Sequence, residues 1–107
     1  MSLFLEYTIK GKTIKNRIAM PPMVCPGWSD NNGIVSDKHI NHYEARAKGG
    51  VGLIIVEACS ISRSGRSFNT QLGIWLDEQI PGLNKIANAC HNYGAKVLLQ
   101  LNHAGLR

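Results

Sequence analysis

The sequence predicts an α/β fold in which parallel strands alternate with helices. Three observations carry this. Val51 to Val56 is a nearly unbroken aliphatic run, the composition of a strand buried on both faces. Lys96 to Leu101 is a second such strand. Apolar residues at helical spacing precede each run and are closed by Gly49-Gly50 and by Gly94. Alternation of this kind gives a parallel sheet through right-handed crossovers. It can close as a barrel or stay open and doubly wound, and periodicity alone does not choose.

The chain begins with Phe4 to Ile9, loosely alternating and rich in β-formers; Lys10-Gly11-Lys12 turns it, and Thr13-Ile14 starts the return of an N-terminal β-hairpin. Asn16 to Met20 reads as a short strand stopped by Pro21-Pro22, since neither proline supplies an amide hydrogen to a ladder. Met23 to Gly33 is loop, with Asp30-Asn31-Asn32-Gly33 as its turn. Ser36 reads as an N-cap with Asp37 in the first turn, and Ile40, Tyr43 and Ala47 form the apolar stripe. Glu57 and Ala58 are expected at the carboxyl end of the next strand. From Ser60 to about Asp77 the chain is a long polar loop carrying Arg63, Arg66, Phe68 and Trp75; loops of this length are usually functional or disordered. A second helix is predicted from about Glu78 to Tyr93, with Leu83, Ile86, Ala87, Cys90 and Tyr93 on one face and Pro81 tolerated in the first turn. The strand Lys96–Leu101 then opens into Asn102-His103-Ala104-Gly105.

A length of 107 residues fits one small domain or part of a larger one, and 44% hydrophobic with 18% charged residues fits a globular chain. No apolar run approaches the roughly 20 residues of a membrane span, and the N-terminus lacks a signal-peptide pattern, so a cytoplasmic protein without membrane partners is expected. Cys25, Cys59 and Cys90 are odd in number and far apart, which suits reduced thiols and not a disulfide framework or a zinc site. The net charge of +5 is scattered without a basic run, so no nucleic-acid partner is expected. Arg63 and Arg66, in a Ser/Gly-rich loop, form the closest basic pair and could meet a phosphate. A dinucleotide fold would place G-x-G-x-x-G after its first strand; Pro21-Pro22-Met23 stands there instead. In α/β folds, polar groups at the carboxyl ends of strands hold ligands, which directs attention to Gln100 and His103.

Four blocks then carry a resemblance. They are Lys15-Asn16-Arg17-Ile18-Ala19-Met20-Pro21-Pro22-Met23, His42 to Glu57, Leu72-Gly73-Ile74-Trp75 and Gln100-Leu101-Asn102-His103-Ala104-Gly105. In this order and spacing the sequence resembles the old yellow enzyme family of FMN-dependent barrels (NADH:flavin oxidoreductase / NADH oxidase), and the second block resembles the bacterial NADH oxidase and enoate reductase branch. The resemblance implies a (β/α)₈ TIM barrel of roughly 250 residues or more. Residues 1–107 would be the N-terminal part of one FMN-binding domain: the first three parallel strands and two helices, preceded by the hairpin.

The resemblance also implies roles. The backbone of Pro21, Pro22 and Met23 would line the flavin. Val24 matches the position beside the flavin's reactive edge, where relatives often have Cys or Thr; valine cannot donate a hydrogen bond, and Cys25 falls one residue late. Ala58 matches a small residue against the ring, and Gln100 an amide that bonds the pyrimidine edge, a task suited to a group that both donates and accepts. Pro26 or Trp28 falls near a substrate-contacting tyrosine of some relatives, without its phenol. His103 is a substrate-side candidate whose simpler reading is to shape its loop. No catalytic residue is assigned, since the family's carbonyl-binding pair and phosphate loops lie beyond this segment. Leu106 intrudes where the usual pattern has Gly and Arg adjacent, which separates Arg107 from its customary place. The implied activity is hydride transfer from reduced FMN to an activated alkene such as an enone, with NADH or NADPH as reductant. The isolated segment is expected to be inactive, its partners being the remainder of the barrel or further copies. The alternative is a non-catalytic truncated module that self-associates. Another barrel enzyme with a phosphate-bearing ligand is a third reading, which the Asn-Arg and His-Ala-Gly blocks oppose.

Overall fold

The computed structural model describes residues 2–105. Strands β1 (Tyr7–Ile9) and β2 (Lys12–Ile14) pair antiparallel, Tyr7 opposite Ile14. The two-residue turn needs positive φ at both centres, and Lys10 (48°) and Gly11 (79°) provide it. The first strand begins at Tyr7 and not at Phe4, which is exposed beside Leu3.

A second sheet holds three parallel strands in the order β3 (Ala19–Met20), β4 (Leu53–Ser60) and β5 (Lys96–Asn102). Strand β3 is shorter than the predicted Asn16–Met20, for a local reason. The Asn16 side chain donates to the Gly50 carbonyl (2.6 Å) and accepts from the Ile18 N–H (3.1 Å), so this segment is tied by an amide and not by a ladder.

The crossovers are helices α1 (Asp37–Lys48) and α2 (Ile80–His91), the latter entered through a 3₁₀ turn over Asp77–Gln79. Ser36 stands at the N-cap of α1 in extended backbone and donates its N–H to Nδ1 of His39 (3.1 Å). Helix α2 ends before Tyr93, whose ring is exposed and does not join the predicted stripe. Met20, Tyr43, Ala47, Ile54, Val56, Ile86, Cys90 and Ala95 form the core between helices and sheet, and Val97 and Leu99 pack against it. The opposite face is open: Leu98 is 55% exposed, while Leu53 and Ile55 are half-buried. The expectation of burial on both faces therefore holds only on the helix side. Among the described residues no helix is long and apolar enough to cross a membrane, and no three His, Cys, Asp or Glu side chains cluster to hold a metal. The cysteines are free thiols, and burial pushes those of Cys59 and Cys90 up to about 12 and about 11.

Asn16→Ala removes a buried donor and acceptor together, so a loss of about 1–3 kcal/mol is expected. A urea midpoint equal to that of the parent chain would contradict this clamp.

Candidate functional site at the carboxyl edge of the sheet

Because β3, β4 and β5 run parallel, their carboxyl ends and following loops gather on one edge. Pro21 to Val24 leave β3 there, with Pro22 half-buried and Pro21, Met23 and Val24 exposed. Strand β4 continues through Ser60, so Glu57 and Ala58 lie inside it and not at its end. The register explains why. Val56 pairs with Leu99 but Cys59 with Leu101, so one extra residue of β4 is accommodated in a bulge. That bulge sets Glu57 and half-buried Ala58 alongside Gln100, which β5 carries two residues before its end. Val97 and Leu99 pack toward the helices, so Gln100, by alternation, faces the open side with Leu98.

Beneath this edge sits a buried polar knot. Glu57, 1% exposed, accepts from the Tyr43 hydroxyl (2.9 Å, Oε1) and from the Cys25 N–H (3.1 Å, Oε2); its own N–H donates to the Tyr43 oxygen (3.0 Å). One carboxylate thereby fastens the loop after β3 to β4 and to α1. Nδ1 of His39 accepts from Ser36, which leaves the proton on Nε2. That Nε2 is buried, has no hydrogen-bond partner among the described residues, and stands 3.9 Å from Glu57 Oε1. Burial holds His39 below its ordinary value against the pull of Glu57, and it depresses His42 as well, with Arg46 adding to the effect. Burial and then the Glu57 carboxylate push the Cys25 thiol up to about 11, so it stays protonated and is no nucleophile near neutral pH.

The model of the NADH:flavin oxidoreductase / NADH oxidase family matches residues 2–107. The chain belongs to that family. It is 47% identical over 103 residues to an NADPH dehydrogenase of Listeria monocytogenes serotype 4b, a match covering 96% of this chain and 30% of that protein. The structure superposes on an old yellow enzyme homologue from Zymomonas mobilis with a TM-score of 0.85 at 32% identity, over 96% of this chain and 28% of that one. Morphinone reductase in complex with tetrahydroNAD gives a TM-score of 0.85 at 28% identity, over 98% and 28%. The chain thus spans about 30% of the length of the curated relatives it matches, and its fold matches part of the TIM barrels of old yellow enzymes.

The remaining candidates fall at the margins of this edge. Trp28 packs edge-on against His39 (5.5 Å between centroids) and His42 (5.2 Å), so its half-buried ring leans on α1, while Pro26 beside it is exposed. His103 lies against Gly65, where any Cβ would run into the imidazole, and its Nδ1 accepts from the Gly105 N–H (3.0 Å). Leu106 and Arg107 lie outside the described residues.

Sequence reasoning missed four organisers of the edge. Tyr43 was expected only as packing, and Glu57 only as a strand end. Buried Gln71 donates to the Ala58 carbonyl (3.1 Å) and to Asn102 Oδ1 (3.0 Å), and it accepts from the Ser67 N–H (2.6 Å), so it ties β4 to β5 through the long loop. Gln79 binds the Trp75 and Leu76 N–H groups and the Asn32 carbonyl in the same manner. A glutamine inside a loop carries no periodic signal; only the improbable burial of an acid after four aliphatic residues pointed to Glu57.

Tyr43→Phe strands both the Glu57 N–H and one carboxylate oxygen, and a loss of about 1–3 kcal/mol is expected; an unchanged denaturation midpoint would contradict the knot. The histidines set a pH dependence. With folded values depressed, the unfolded chain binds more protons below about pH 6.5, so stability is complete above that value and falls as pH drops toward the folded values. The thermal midpoint is expected to fall on acidification through this window and to fall less in His39→Gln; equal slopes would contradict the assignment.

Proposed function

We propose that the parent protein is an FMN-dependent NAD(P)H oxidoreductase acting on an activated alkene such as an enone, and that residues 1–107 form the first part of its FMN-binding barrel. One observation supports this above the others. The side-chain amide of Gln100 makes no hydrogen bond among the described residues and stands on the open face, level with small Ala58 at the strand edge. A flat heteroaromatic ring with donor and acceptor sites fits such a place: the amide supplies both functions, and a bulkier residue at position 58 would obstruct it.

Bound FMN supplies the hydride chemistry; this chain's residues bind and orient. Pro21, Pro22 and Met23 offer an uncharged loop whose backbone is held still through the neighbouring Cys25 N–H on Glu57. Val24 contributes an apolar contact at the reactive edge, so this enzyme would lack the side-chain hydrogen bond that a Cys or Thr would give there. Pro26, Trp28 and His103 would border the substrate side. The groups that polarise a substrate carbonyl and grip the FMN phosphate would come from the remainder of the barrel, so the 107-residue segment alone does not turn over. Three free thiols, two of them buried, favour a cytoplasmic setting. Exposed Leu98, with half-buried Leu53 and Ile55 beside it, favours a second reading, in which copies of the segment associate through the open face.

Fusing residues 1–107 to the complementary remainder of the Listeria relative is expected to give a yellow protein that oxidises NADPH with an enone, while the segment alone stays colourless. Gln100→Leu in the fusion is expected to weaken FMN binding about tenfold. A segment active by itself, or unchanged FMN affinity in Gln100→Leu, would overturn the reading; a segment that is dimeric by light scattering but never binds flavin would support the second.

A further inference from the structure

The long loop after β4 contains a feature that flavin binding does not use. Arg63 and Arg66 both donate through Nη1 to one acceptor, the Asn31 carbonyl, at 3.3 and 3.2 Å. Both guanidinium groups also lie near the Trp75 ring, 5.5 and 5.9 Å from its centroid. Two cations are thus drawn together, and among the described residues neither meets a carboxylate within ion-pair distance. Arg63 is exposed and Arg66 half-buried, and bringing their like charges together costs energy that an anion between them offsets. Backbone carbonyls fill only part of the donor set. Arg66 spends Nε on Arg63 O and Nη1 on Asn31 and Asn69, and Arg63 spends only Nη1. Nη2 of each, and Nε of Arg63, remain for a ligand.

The pair belongs to the edge described above. Asn31 is in the loop after β3, the arginines are in the loop after β4, and the Gly65 carbonyl between them accepts from Ala104 just past β5 (2.7 Å). We propose that Arg63 and Arg66 bind a phosphate monoester and, resting on the function proposed above, that this monoester is the 2′-phosphate by which NADPH differs from NADH. Two guanidiniums held side by side on one carbonyl, each with Nη2 uncommitted, match a single dianionic monoester, whose oxygens accept from both, better than they match an extended pyrophosphate of two separated single charges. Trp75 holds the guanidinium planes in place, which lowers the cost of ordering them around a ligand.

Equilibrium titrations of the full chain with NADP⁺, NAD⁺, 2′-AMP and inorganic phosphate test this. NADP⁺ is expected to bind about tenfold more tightly than NAD⁺, and Arg63→Gln to erase that difference while leaving NAD⁺ unchanged. The NADP⁺ preference is expected to shrink with rising ionic strength, which reads the same contact without a substitution. Binding of 2′-AMP well above inorganic phosphate identifies a nucleotide monoester and not a free ion. Equal affinity for NADP⁺ and NAD⁺, a preference untouched by Arg63→Gln, or a preference insensitive to salt would overturn the site. Because 2′-AMP carries neither nicotinamide nor flavin, its Arg63-dependent binding survives if the flavin reading fails. An FMN-loaded fusion with the remainder of the barrel that is indifferent to the 2′-phosphate would overturn the arginine site alone.

Discussion

The Glu57 carboxylate is the constraint on which the rest of the edge depends. It lies in a strand bulge, away from water, and each oxygen has a fixed donor: the Tyr43 hydroxyl from α1 and the Cys25 N–H from the loop after β3. A buried carboxylate tolerates few arrangements, because every lost donor exposes a costly charge. Helix, strand and loop are therefore held in one relation, and that relation decides where Pro21 to Val24 sit against β4. The bulge that accommodates Glu57 also sets Ala58 beside Gln100. One acid thus links burial in the core to the shape of the sheet's carboxyl edge.

The helices and strands were legible because their signals are local and repetitive. The aliphatic run ending at Val56, the Ser36 cap and the paired prolines each follow from sterics or hydrogen bonding within a few residues. The boundaries moved where a side chain competed with the backbone, as Asn16 does in shortening β3 and the Glu57 bulge does in lengthening β4. Burial was misjudged on one face for another reason. A run such as Leu53–Val56 states that a strand is apolar throughout but not which neighbours cover it, and here only the helix side is covered among the described residues.

The site was legible only in part, and by analogy more than by pattern. The expected flavin-side positions do collect on one edge, as parallel strands require. The connections that fix them were invisible in the sequence, because Tyr43, Gln71 and Gln79 act through contacts between distant segments. Arg63 and Arg66 stood out as a basic pair, but their convergence on the Asn31 carbonyl is a property of the folded loops. Residues that look alike in composition thus divide into those that hold the edge and those left open to a ligand.

The open amide of Gln100 is the most direct point of test. With residues 1–107 isotopically labelled and joined to the remainder of a family barrel, the side-chain NH₂ signals of Gln100 can be followed as FMN is added. The expected result is a shift of those signals and slower hydrogen exchange at saturating FMN, with the Asn16 amide, buried in its clamp, unmoved. Gln100 signals unchanged while FMN binds would contradict the assignment of this strand edge as the flavin's seat.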